Sequence, residues 1–137
     1  MTGFVVDASV AIKWFVTEPG TEEALALLET GSVLHAPDLI IAETCNIGWR
    51  KARVGEILPE DVKVIARDLC RSFQEIVPGD LLSARAVEIA LALNHPVYDA
   101  FYLALAEARD LPLVTADRRL ADRAAGTPWA SLVRPLT

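Results

Sequence analysis

Gly3-Phe4-Val5-Val6-Asp7 decides the fold. Four uncharged residues run straight into an acid. A short, wholly apolar run of this kind reads as a strand covered on both faces, and such strands belong to parallel sheets. A helix from Ser9 to about Phe15 follows. The same signature returns far along the chain, where a strand from Leu111 to Thr115 leads through Ala116 into Asp117 and a short helix to Ala125.

Between these two points strands and helices alternate. Thr21 opens a helix with Glu22 and Glu23 in its first turn, where the helix dipole favours acids, and Gly31 ends it. Ser32 to Ala36 reads as a strand. Asp38 to Arg53 has helical periodicity closed by Gly55, and Pro59 starts a helix running to about Phe73. Glu75-Ile76-Val77 is a strand, Asp80 to Leu93 a helix, and Val97 to Arg109 a nearly all-apolar helix, hence enclosed on most sides. Leu132-Val133-Arg134 forms a last edge strand. This alternation predicts an α/β fold, a single domain over residues 1–137 with a mostly parallel sheet flanked by helices. Sites in such sheets lie beyond the carboxyl ends of the strands.

The composition fits one domain with an aliphatic core: 137 residues, 53% hydrophobic but only 7% aromatic. Cys45 and Cys70 stand apart with no metal-ligand spacing, so they read as buried thiols of a reducing compartment. Met1 to Val16 carries Asp7 and Lys13 and lacks a basic start and a small-residue cleavage site, so no secretory leader is expected. No run approaches the ~20 apolar residues that span a bilayer. A soluble, cytoplasmic protein with no membrane contact is the expectation.

Four acids stand where packing alone does not ask for them. Asp7 and Asp117 end strands, although each also precedes a helix that an aspartate could cap. Glu43 shares a helix face with Leu39, Ile40 and Ile47, which sets a carboxylate on an apolar stripe. Its plain alternatives are the edge of the stripe or pairing with a lysine or arginine. Asp99 is the lone charge in Val97-Tyr98-Asp99-Ala100-Phe101-Tyr102-Leu103-Ala104-Leu105-Ala106. The helix dipole accounts for an acid in a first turn, but Asn94 is available as the cap. His95 reads as a turn residue before Pro96 and His35 as a strand residue; neither is given a catalytic part.

Carboxylates gathered in one cleft repel one another and lose hydration together. A hard divalent cation is the natural compensation, and oxygen-only donors suit Mg²⁺ or Mn²⁺ rather than zinc. Carboxylates with such an ion, and no serine, cysteine or histidine nucleophile, point to phosphoester hydrolysis. No glycine-rich phosphate loop is present. The net charge of −6 opposes a nucleic-acid substrate, but the four acids account for most of it. Basic residues remain nearby: Arg50, Lys51 and Arg53 after Glu43, and Arg118, Arg119 and Arg123 after Asp117. These are candidates for phosphate contacts, or else ordinary solvated helix faces.

Val5-Val6-Asp7-Ala8-Ser9, Pro37-Asp38-Leu39-Ile40-Ile41-Ala42-Glu43, Tyr98-Asp99-Ala100 and Thr115-Ala116-Asp117, in that order, resemble the PIN-domain family over nearly the whole chain. In length and motif order the chain looks like the VapC-type toxins. The resemblance implies an endoribonuclease in which Asp7, Glu43, Asp99 and Asp117 form an acidic pocket for Mg²⁺ or Mn²⁺. Asp7, Asp99 and Asp117 would be the ligands, and Ser9, Asn46 and Thr115 donors behind them. It also implies a homodimer held inactive by a cognate antitoxin that crosses the groove. The stretch from Trp49 to Leu58, with Val54, Ile57 and Leu58, is expected to expose apolar surface to such a partner. A PIN nuclease of RNA processing outside a toxin system, and a non-catalytic binding module, are the alternatives. An aspartyl phosphotransferase using Asp7 is another, although Ser9 stands where its second aspartate is usual.

Overall fold

The computed structural model describes residues 3–137. Met1 and Thr2, the start of the segment read as lacking a leader, lie outside them. Five strands, β1 (Gly3–Val6), β2 (Val33–Pro37), β3 (Glu75–Val77), β4 (Leu113–Thr115) and β5 (Val133–Pro135), form one sheet in the order β3-β2-β1-β4-β5. Every neighbouring pair is parallel. The chain steps outward from β1 to β2 and β3, then returns to lay β4 and β5 on the other side. The reversal falls between β1 and β4, and at such a switch point the connections leave a crevice beyond the carboxyl ends.

Alternate residues of each strand face opposite sides, which divides the core in two. Val5 and Leu113 look into the larger half with Ile40, Ala86, Ile89 and Leu103. Phe4, Val6 and Val114 look into the smaller half with Val10, Leu34 and Ala24. Helix α2 (Thr21–Glu29) covers the smaller half. Helices α5 (Ser83–Leu93) and α6 (Val97–Arg109), with the start of α3 (Leu39–Arg53), cover the larger. Ala100 and Tyr102 through Ala106 are all buried, as the apolar run of α6 requires.

Several elements are shorter than their periodicity suggests. After β1 the helix α1 covers only Ala8–Ala11 and tightens into a 3₁₀ turn at Ile12–Trp14, where the Trp14 indole donates to the Ala24 carbonyl at 2.8 Å. Helix α4 (Pro59–Asp68) likewise passes into a 3₁₀ turn at Leu69–Ser72, and another at Gly79–Leu81 precedes α5. The last helix, α7, is Arg118–Ala124. Asn94 does not cap α6. It ends α5 in the left-handed conformation at φ 51°, a conformation asparagine tolerates well, while Pro96 precedes α6.

The expected burial of both thiols is not met: Cys45 is half-buried and Cys70 exposed, and both are free. The inward row of α3 is Ile40, Thr44 and Gly48, which leaves Cys45 one step off it. Gly48 lets α4 approach closely, since a Cβ there would stand 2.7 Å from Ile65 Cδ1. No helix among the described residues is long and apolar enough to cross a membrane.

Candidate active site

All four sequence-selected acids line one cleft of about 540 Å³ at the switch point. Asp7 arrives from the end of β1, Glu43 from α3, Asp99 from the first turn of α6, and Asp117 from the end of β4.

The pairing Val6↔Val114 sets Asp7 beside Thr115 one residue further on. Thr115 Oγ1 donates to Asp7 Oδ2 at 2.5 Å, and Ser9 Oγ donates to Oδ1 at 2.5 Å. Ser9 is itself fixed by the Ala116 N–H at 2.9 Å, and Thr115 Oγ1 takes the Asp117 N–H at 3.0 Å. Ser9 and Thr115 both donate to Asp7. Each oxygen of Asp7 thus accepts one hydroxyl and keeps a further lone pair. Asp7 is only 5% exposed. Burial, opposed by its two hydroxyl donors and reinforced by the nearby charge of Asp99, pushes its carboxyl up from 3.8 to about 6.

Capping and site membership coexist here. Asp7 also accepts the Val10 N–H at 3.3 Å, and Asp117 accepts the Arg119 N–H at 2.9 Å, so each caps the helix that follows. Asp117 further receives the Arg119 guanidinium on both oxygens, at 3.2 and 3.0 Å, which holds its carboxyl below the usual range.

Glu43 sits at the edge of the buried row of α3, yet no lysine or arginine among the described residues pairs with it. The Tyr102 hydroxyl donates to Glu43 Oε1 at 2.6 Å. Burial raises the Glu43 carboxyl, the tyrosine lowers it in part, and Asp99 adds repulsion. Burial and the Glu43 charge push the Tyr102 phenol well up, so it stays a donor. His95, read as a plain turn residue, also belongs to the cleft: its Nε2 meets Asp99 Oδ2 at 2.6 Å. His35, in contrast, pairs with Glu75 at 2.9 Å, within the sheet.

Asn46 lines the cleft but is exposed and makes no hydrogen bond to the acids among the described residues. Of the basic candidates, Arg50 and Arg119 line the cleft. Arg118 lines an adjoining hollow that shares Asp117, and Arg123 lies at a shallow surface with Arg119. Lys51 points elsewhere, bonded to Glu18 at 3.0 Å and Glu56 at 3.4 Å. Arg53 lies over the Trp49 ring. Successive helical residues diverge by about 100°, so the basic run cannot share one face.

As the side chains stand, no three of the described Asp, Glu, His and Cys residues converge on one ion-sized point. Each acid is turned to a partner of its own. The donor set nevertheless fits a hard cation in kind: it is carboxylate oxygen, crowded enough that Asp99 raises both Asp7 and Glu43. Asp7, Asp99 and Asp117 are the residues that could hold such an ion.

A doubly wound parallel sheet with four acids in a cleft at its switch point is the frame of an α/β protein whose site lies at the carboxyl ends of its strands. The chain belongs to the PIN-domain family, whose model matches residues 4–126, and within it to the VapC-type ribonucleases. It is 34% identical over 121 residues to ribonuclease VapC3 of Pyrobaculum aerophilum, covering 87% of this chain and 92% of that one. Its fold matches that of PAE2754 from the same organism with a TM-score of 0.69 at 23% identity, covering 98% of this chain and 84% of the other. It also matches a chain of a toxin–antitoxin complex from Klebsiella pneumoniae, with a TM-score of 0.60 at 21% identity over 97% of each.

Proposed function

We propose that the chain is the toxin of a toxin–antitoxin pair, an endoribonuclease that uses Mg²⁺ or Mn²⁺ held by Asp7, Asp99 and Asp117. The observation that carries this reading is the convergence of four carboxylates from four separate elements on one cleft. When bound, such an ion lowers the pKa of a coordinated water and offsets charge on the phosphoryl oxygens.

The chain's own residues supply the rest. Ser9 and Thr115 hold the plane of the Asp7 carboxylate and keep it from turning away from Asp99. His95 does the same for one oxygen of Asp99. Glu43 has Oε1 occupied by Tyr102, so Oε2 is its oxygen for accepting a proton from attacking water. Arg50 and Arg119, which both line the cleft, hold RNA phosphates without reading sequence. Arg119 would exchange Asp117 for a phosphate when substrate enters.

An active ribonuclease of this kind requires an inhibitor in the cell. The Klebsiella pneumoniae complex supports an antitoxin partner. So do the exposed apolar residues at and just after the end of α3, where Trp49 is 53%, Val54 69% and Leu58 66% exposed. An amphipathic helix would cover these residues, and an arginine on it would reach the carboxylates in place of the ion. We further propose a homodimer, with Val87 and Leu91, exposed on α5, under a second copy. The test is expression in a bacterial host. Growth arrest from the chain alone, relieved by the neighbouring small reading frame, is the expected result; harmless expression of active enzyme overturns the toxin reading.

A further inference from the structure

Tyr102 is the one aromatic residue among the largest fully buried side chains, 1% exposed. Packing does not call for its hydroxyl, because phenylalanine would fill the same space without a polar atom to satisfy. That hydroxyl spends itself on a single acceptor, Glu43 Oε1, at 2.6 Å. The bond joins α6 to α3, elements far apart in the chain, and leaves Oε2 without a hydrogen bond among the described residues.

Glu43 needs such a tether. It is half-buried on a side chain with three rotatable bonds, and Asp99 repels it. Left free, it would swing toward solvent, away from that charge. Asn46 and Arg50, which follow it on α3 and line the same cleft, make no hydrogen bond to it among the described residues. Tyr102 stands one helical turn after Asp99, at i+3, so a single rigid helix presents both the repelling acid and the hydroxyl that resists the repulsion.

We propose that Tyr102 is a positioning residue for the reaction: it holds Glu43 in the cleft against Asp99 and fixes Oε2 as the oxygen that faces substrate. The proposal rests on the hydrolytic reading of the cleft. It does not make Tyr102 a catalytic residue, since its hydroxyl is occupied by Glu43.

A double-mutant cycle tests it, using the full chain and a 5′-labelled single-stranded RNA that the unaltered protein cleaves in Mn²⁺. Tyr102→Phe is expected to lower kcat about tenfold with KM unchanged, the range seen when outer partners of a site are removed. On a Glu43→Gln background the same change should cost less than twofold. Glu43→Asp, which keeps the carboxylate but withdraws it from the hydroxyl, should lose rate as Tyr102→Phe does. It tests the tether even if Tyr102→Phe fails to fold. The Mn²⁺ midpoint, read from the thermal shift without RNA, should stay within twofold in Tyr102→Phe, because the three aspartates keep their own partners. Equal costs on both backgrounds, full activity in Glu43→Asp, or an Mn²⁺ midpoint raised as far as the rate falls would each overturn it. Failure of the unaltered chain to cleave any RNA would instead strike the hydrolytic reading.

Discussion

Replacing Asp7 by asparagine should stabilise the metal-free protein, and the structure sets the size. Asp7 is buried, and its carboxyl is displaced from 3.8 to about 6. At 1.36 kcal/mol per pH unit, an ionised Asp7 costs the fold about 3 kcal/mol at pH 8. The sign follows from the direction. Because the folded-state pKa is the higher one, the cost is fully present above pH 6. It is relieved as pH falls toward 3.8, where the unfolded chain is protonated too. Asparagine carries no charge but can accept from only one of Ser9 and Thr115, so the other hydroxyl must turn and accept from the amide. Losing one charge-assisted bond returns about 1 kcal/mol. A net gain of about 2 kcal/mol at pH 8 is expected, turning into a loss of roughly half a kcal/mol at pH 4, where the ionisation cost has fallen below that of the lost bond. Urea unfolding of both proteins in EDTA at the two pH values measures it. A loss of stability at pH 8, or an equal difference at both pH values, would refute the reasoning. Saturating Mn²⁺ should reverse the order by stabilising the unaltered protein alone.

Arg119→Ala removes an 87% exposed guanidinium whose partner is Asp117; RNA affinity measured in EDTA should fall and its logarithmic salt slope lessen by about one, with the melting curve unchanged. Gly48→Ala, normally worth about 1 kcal/mol to a helix, should instead destabilise by about 1 kcal/mol because its Cβ meets Ile65 Cδ1. Adding Ile65→Val, which removes that methyl, should recover the loss in a thermal melt; no recovery would place the strain elsewhere.

Asp7 and Asp117 were legible because a charge directly after an apolar strand has few other uses in a parallel sheet. Asp99 and Glu43 stood out as charges on apolar faces. Their partners were harder to see. Tyr102 reads as an ordinary core aromatic, and only its i+3 spacing from Asp99 signals otherwise. His95 lies one turn ahead of Asp99, but Pro96 between them marks a helix boundary and hides the spacing. The basic run from Arg50 to Arg53 looked like a unit in one dimension. On the helix, Arg50 faces the cleft while Lys51 turns to Glu18 and Glu56. Asn94 was assigned to the wrong helix because an asparagine between two helices suits either end, and only the backbone angle decides.

The most direct test of the acidic cleft as a hydrolytic site is the rate of RNA cleavage against divalent-ion concentration, for the unaltered chain and Asp99→Asn. The account predicts no cleavage in EDTA, recovery with Mn²⁺ or Mg²⁺, and a rate at least about a hundredfold lower for Asp99→Asn at every concentration. Undiminished cleavage in EDTA, or by Asp99→Asn, would contradict it.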